Sequence, residues 1–287
     1  MQSHFEITFP LIVAYDDVFT ISFALQKGSL LEFVQGVYYL HGDNGSGKTT
    51  LLNILALTAG SIGGRVPANQ GTIKFNRTAY NQKGFNHFKA AELREKYFCI
   101  FPQKAFFLPV STRDNYTILN GSDKQKEAFF SPLEIPDLLS GGQQQKMLMD
   151  IVLDEKKAVW FLDEPLTNLD PERRHYFWMT LKKAYQKELK TIFFIDHWMS
   201  KKIKNDKNFR HCNTLRVFTE NRQKNRPPEI GFRHIEIYEN NDPLEFFDRQ
   251  TRQTEKEKTV TKHKNPLLLR GDWGVTGHSE TREILSE

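Results

Sequence analysis

The chain has 287 residues, enough for one large domain or two modest ones and for a sizeable buried core. With 39% hydrophobic and 26% charged residues, 17 Gly and 12 Pro, its composition excludes a disordered, a collagen-like and a membrane-spanning chain. Lys and Arg number 40 against 35 Asp and Glu, and the net charge of +5 suits an anionic ligand or surface without demanding nucleic acid.

In chain order, the first 40 residues alternate β-prone runs such as Phe5 to Phe9 and Val37 to Leu40 with turns around Gly28 and Gly36. The run Val37-Tyr38-Tyr39-Leu40 meets a glycine-rich loop, and good helix formers continue from Lys48 to Leu57, so the order is strand, loop, helix. A strand is expected over Gly71 to Phe75, a helix over Phe88 to Lys96, and a strand over Tyr97 to Phe101 that stops at Pro102. Residues 104–138 read as a small insertion of short helices. Thereafter Gln143 to Leu153 reads as helix, Ala158 to Leu162 as a buried strand, Pro171 to Leu189 as a helix opened by proline, and Thr191 to Ile195 as another buried strand. Such alternation implies a mostly parallel sheet with crossover helices. Beyond Ser200, Thr214 to Phe218 and His234 to Tyr238 are possible strands, and the polar stretch Arg249 to Asn265 reads as mobile.

Cys99 and Cys212 are too few for a disulfide framework and too far apart for a zinc pattern, which points to a reducing compartment. Apolar runs such as Leu51 to Leu57 fall short of the roughly 18 residues of a transmembrane helix, and no basic segment precedes a long apolar stretch at the N-terminus. A cytoplasmic chain, reaching a membrane only through a partner, is the expectation.

The loop Gly42-Asp43-Asn44-Gly45-Ser46-Gly47-Lys48-Thr49 matches the phosphate-binding pattern G-x-x-x-x-G-K-[ST]. Its glycines let successive backbone N–H groups face the phosphates, the following helix presents its positive end, and Lys48 supplies a cation near the β- and γ-phosphates. Thr49 offers a hydroxyl to Mg²⁺. Placement between strand and helix argues against a chance glycine turn. Downstream, Leu139-Ser140-Gly141-Gly142-Gln143 precedes an amphipathic helix; alone it reads first as an ordinary Ser-Gly-Gly helix cap, and beside the P-loop it reads as a second anion-binding helix N-terminus. The strand Ala158 to Leu162 delivers Asp163 and Glu164 to its C-terminal edge, and two carboxylates beside a triphosphate repel it unless a cation intervenes.

The LSGGQ at residues 139–143 and the FLDEP at residues 161–165 resemble the signature and the metal-and-base motif of the ATP-binding cassette (ABC) ATPases, in the family's order over about residues 15–200. The resemblance implies an α/β P-loop NTPase fold of the ABC type, mostly parallel, with an antiparallel β subdomain and a helical insertion at about 104–146. It implies ATP and Mg²⁺ as ligands, with Gly42 to Thr49 and Thr50 around the nucleotide and Thr49, Gln103 and Asp163 toward the metal. Glu164 is the implied base for the attacking water, His197 the switch histidine on the γ-phosphate, and Gln103 the residue of the Q-loop. Ser140, Gly141, Gly142 and Gln143 are implied to contact the nucleotide of another subunit, with Asp170 reaching across beside them, although Asp170 also suits an N-cap. Among Tyr15, Phe19 and Phe23, Phe19 lies at the distance from the P-loop expected for the adenine-stacking aromatic; a core aromatic is the competing reading.

Lys146 stands where the family commonly has arginine, Leu166 replaces the usual threonine, and the stretch from Gln103 to Ser140 is short for the subdomain that receives the membrane partner. The implied function is an ATP-hydrolysing subunit that pairs with a second copy or a homologous subunit and powers a separate transmembrane permease from the inner membrane face, with no nucleic acid. Leu108-Pro109 and the following Thr112-Arg113-Asp114-Asn115 loosely resemble exporters of lipoproteins and macrolides, a subgroup the sequence does not select. A soluble ABC ATPase of repair, translation or cluster assembly is the alternative, and a small-molecule kinase would leave LSGGQ and His197 without a purpose. Residues 1–200 are expected to form the ATPase domain and 201–287 a basic extension, partly strand, with a mobile end.

Overall fold

The computed structural model describes residues 4–15, 19–58, 64–65, 71–80, 87–103, 106–120, 134–153, 157–188, 190–196, 213–218, 230–238 and 243–264. In chain order these form β1 (Phe5–Thr8), β2 (Leu11–Tyr15), β3 (Phe19–Leu25), β4 (Leu30–Phe33), β5 (Gly36–His41), α1 (Lys48–Leu55), β6 (Gly64–Arg65), β7 (Thr72–Phe75), β8 (Thr78–Ala79), α2 (His87–Tyr97) and β9 (Phe98–Phe101). There follow α3 (Thr112–Asn120), a 3₁₀ turn at Pro136–Leu138, α4 (Gly141–Val152), β10 (Val159–Asp163), α5 (Pro171–Glu188), β11 (Thr191–Ile195), β12 (Asn213–Phe218), β13 (Ile230–Tyr238) and α6 (Pro243–Lys264).

Strands β10 and β11 are buried along their whole length and apolar except for Asp163 at the end of β10 and Thr191 at the start of β11, as parallel strands covered on both faces must largely be. They sit in a nine-stranded sheet of order β6-β2-β3-β13-β12-β5-β11-β10-β9, in which β5, β11, β10 and β9 run parallel. Side-chain alternation divides their residues between two cores. Val159, Phe161, Phe193 and Ile195 face one that holds α1 and the smaller sheet, while Trp160, Leu162, Ile192 and Phe194 face the other, with α4 and α5. Phe161 stacks on Phe193 at 5.3 Å, and Phe5 of the smaller sheet meets Phe193 edge-on at 5.7 Å. Such ring pairs contribute about 0.5–1.5 kcal/mol each beyond the area they bury.

The smaller sheet is antiparallel, of order β4-β1-β7-β8. Strands β1 and β4 pair with each other there, whereas the β2–β3 hairpin between them crosses to the large sheet, where β3 lies parallel to β13. Sequence reading expected strands in this region but not that division, which only β13 and β4, as distant pairing partners, can impose. The large sheet also continues past residue 200: β12 runs parallel to β5, and β13 pairs with β12.

One expectation is overturned. The stretch from Arg249 onward, read as mobile, is helical to Lys264 within α6 and packs on α5. Among the described side chains its docking face holds buried Phe247, followed by buried Gln250, Thr251 and Thr254, so the helical spacing is carried largely by polar residues. Polar contacts match that face: His175 lies 3.3 Å from both the Thr251 carbonyl and Thr254 Oγ1, Arg174 pairs with Glu257 at 3.0 Å, and Lys182 pairs with Asp248. Residues 265–287 lie outside the described residues.

Candidate nucleotide site

The P-loop leaves the C-terminal end of β5 and enters α1 at Lys48, the strand–loop–helix order expected of it. Gly47 caps α1 in the left-handed conformation at φ 96°, which glycine adopts without strain, and the cap carries no side-chain hydrogen bond. A Cβ on Gly42 would lie 2.1 Å from the Val217 carbonyl oxygen, so β12 presses directly on the loop's first glycine. Ser46 is buried, and its hydroxyl has no hydrogen-bond partner among the described residues, as suits a donor for a phosphate oxygen.

Lys48 is buried and donates to the carbonyls of Gly42 and Asp43, both at 2.9 Å. Burial lowers its pKa from the ordinary lysine value of 10.5, opposed by the charges of Asp43, Glu164 and Asp163. That coupling brings the cation and both carboxylates of β10's end into one electrostatic site. Asp163 is buried, whereas Glu164 is half-exposed and sits at φ 51°, a left-handed conformation uncommon for a residue with a Cβ. Thr167 Oγ1 donates to Glu164 Oε2 at 3.4 Å. Gln103 is exposed just past β9, whose Phe101 pairs with Leu162, so it emerges at the same sheet edge.

The signature forms a second cluster. Ser140 caps α4 in a reciprocal box: the Gln143 N–H donates to Ser140 Oγ at 3.3 Å, and the Ser140 N–H donates to Gln143 Oε1 at 2.8 Å. The cap reading of this serine therefore holds within the monomer. Gly142 packs so closely that a Cβ would lie 3.1 Å from the Asn168 carbonyl oxygen and 2.5 Å from an Arg173 guanidinium nitrogen. Asp170 caps α5, accepting from the Arg173 N–H at 2.8 Å. The contacts described for this cluster run to Asn168 and Arg173 of the same chain.

Phe19 opens β3, and its side chain lies outside the described residues, as does His197, two positions past the end of β11. Sequence reading passed over Val217, which shapes Gly42, and Asn168 and Arg173, which back Gly142. None of them carries a local signal, because each acts through a neighbour remote in sequence. It also passed over Asp196, a buried carboxylate whose Oδ2 accepts from the Leu166 N–H at 3.2 Å.

A sequence-family model described as ABC transporter matches residues 20–167. The chain belongs to the ABC transporter family. The cassette is an ATP-binding, ATP-hydrolysing subunit that powers transport. Among its relatives is the thiamine import ATP-binding protein ThiQ of Histophilus somni, 28% identical over 177 residues that span 56% of this chain and 76% of that protein. Another is the energy-coupling factor transporter ATP-binding protein EcfA2 of Mycoplasma genitalium, 29% identical over 57% of each chain. In fold, the cassette resembles the dimeric structure of MJ0796, a bacterial ABC transporter cassette, with a TM-score of 0.56 at 17% identity over 75% of this chain and 94% of that one. Among the described residues no helix is long and apolar enough to cross a membrane.

Proposed function

We propose that the cassette binds ATP with Mg²⁺ at Gly42 to Thr50, closes on a second copy or a homologous subunit, and drives import through a separate membrane-spanning partner at the inner membrane face. The observation that carries the nucleotide part is the buried Lys48 ammonium, held by the Gly42 and Asp43 carbonyls of the P-loop within the electrostatic reach of Asp163 and Glu164. The donors fit the metal: Asp163 and Thr49 offer hard oxygen ligands, with Gln103 at the same edge, as Mg²⁺ prefers. Bound there, Mg²⁺ would neutralise charge on the β- and γ-phosphates.

The remaining steps belong to the chain's own groups. Lys48 exchanges its two loop carbonyls for phosphate oxygens, and the P-loop N–H groups and Ser46 hydroxyl complete the cradle. Glu164, half-exposed and turned off the strand by its positive φ, orients and deprotonates the attacking water, while His197 holds the γ-phosphate. The capped α4 N-terminus at Ser140 to Gln143 receives an anion, the nucleotide of a second subunit, with Asp170 beside it. Phe19 stacks on the adenine.

The membrane-spanning partner docks on the described part of the insertion, residues 106–120 and 134–140, where Phe106, Ile118 and Leu138 are 72%, 60% and 75% exposed. Asn115 holds that surface in shape by donating to the carbonyls of Leu108, Val110 and Ser111 while accepting from the Leu108 N–H. Import is the favoured direction because ThiQ is an import ATP-binding protein. Affinity capture of the tagged cassette from its native membranes should retain a multi-span protein, and charged substitutions at Phe106 and Leu138 should release it without altering ATP binding. Vesicle uptake driven by ATP on the cassette side then tests direction; accumulation only on the opposite side would overturn import.

A further inference from the structure

We propose that Asp196 is a positioning residue for hydrolysis, anchoring the turn that carries Glu164 by accepting the Leu166 N–H. The inference rests on the reading of Glu164 as the base. Strand β11 is apolar from Ile192 to Ile195, yet the next residue, Asp196, is a carboxylate only 1% exposed. A buried carboxylate is costly unless hydrogen bonds satisfy it, and one of those bonds goes to the segment that carries Glu164. Asp196 Oδ2 accepts from Leu166 N at 3.2 Å, and its own backbone carbonyl accepts from the Tyr39 hydroxyl at 3.0 Å. Tyr39 is fully buried on β5, the strand that launches the P-loop. The contacts thus run from the P-loop strand through Asp196 to the segment behind Glu164.

The turn needs such an anchor. Glu164 holds φ at 51°, a conformation that persists only when its surroundings impose it. The Glu164 N–H donates to the Ile195 carbonyl at 2.8 Å, which fixes one end. Pro165 has no N–H, so the first donor after Glu164 is that of Leu166, and Asp196 takes it. Adjacent residues of β11's end, Ile195 and Asp196, therefore grip both ends of the same turn. From the other side, Gln145 of the signature helix donates to the Pro165 carbonyl at 3.4 Å.

The test uses the full-length protein with Asp196→Ala, which removes the acceptor, and Asp196→Asn, which keeps an oxygen in place without the charge. Asp196→Ala should lower kcat for ATP about a hundredfold, the loss expected when a reacting group shifts by about 1 Å, with ATP affinity unchanged within about twofold. Asp196→Asn should restore kcat to within about threefold of the parent. Amide exchange at Leu166, followed by NMR, should accelerate at least about tenfold in the alanine variant and not in the asparagine variant. Parent-rate hydrolysis by Asp196→Ala, unchanged Leu166 exchange, or equal losses of kcat and ATP affinity would each overturn the proposal. If Asp196→Ala does not fold, a hundredfold loss in Asp196→Asn is the refuting result, because the hydrogen bond would then be irrelevant. If Glu164→Gln hydrolyses at the parent rate, the base assignment fails by itself, and Leu166 protection still decides whether Asp196 holds the turn.

Discussion

Gly141→Asp gives the sharpest test of a site shared between two subunits. Gly141 is exposed at the first position of α4, and a Cβ there meets only Asn168 Nδ2, at an ordinary 3.9 Å, so the side chain fits without displacing the fold. The neighbouring Gly142 is unsuitable because a Cβ would crowd the Asn168 backbone. An acidic residue in a helix's first turn interacts favourably with the helix dipole, by about 0.3–1 kcal/mol, so the variant should melt no earlier than the parent. Against an incoming phosphate the same charge is repulsive. At about 4 Å and an effective dielectric near 20 the cost is about 4 kcal/mol per unit of phosphate charge, close to a thousandfold in the closing equilibrium at each site. ATP binding by Gly42 to Thr50 of the same chain should stay near the parent value, because the described contacts of the signature run to Asn168 and Arg173. The assay is ATPase rate together with light scattering of the species present in ATP, and a thermal melt as the folding control. Hydrolysis at the parent rate by a variant that stays monomeric in ATP would refute the shared-site argument.

Glu164→Gln should bind ATP and hydrolyse it at least about a hundredfold more slowly, accumulating a dimer on size exclusion; a parent-like rate would remove Glu164 from the role of base. Since burial lowers the Lys48 pKa, a growing fraction of Lys48 is neutral as pH rises toward 10.5, whereas bound phosphates favour the ammonium. ATP affinity should therefore fall at alkaline pH, with proton uptake on binding seen by calorimetry in buffers of different ionisation enthalpy, and Lys48→Arg should lack that uptake. Phe247→Ala should destabilise the cassette by about 3–5 kcal/mol in urea unfolding, because the ring is fully buried between Trp178 and Tyr185. A loss below about 1 kcal/mol would show that α6 is not part of the cooperative fold.

What the sequence determined by itself is local. The order strand, Gly42 to Gly47, helix is written in contiguous residues, since a phosphate cradle needs glycines and a helix start in immediate succession. The same holds for β10 and β11, whose unbroken apolar runs can only be strands buried on both faces, and for Ser140 and Asp170, whose capping chemistry acts over three residues. Tertiary structure decided whatever depends on residues far apart in the chain. Val217 presses on Gly42 only because β12 pairs with β5; the β2–β3 hairpin leaves β1 and β4 only because β13 offers a free edge; α6 is held because α5 supplies His175, Arg174 and Lys182 to a face whose described buried residues after Phe247 are polar. Asp196 reads in the sequence as one charge ending an apolar strand, and becomes informative only when the fold sets it against the Leu166 N–H, 30 residues away. Patterns of polarity and spacing are properties of neighbours along the chain, whereas satisfying a buried carboxylate or a close backbone approach depends on which strands the sheet places side by side.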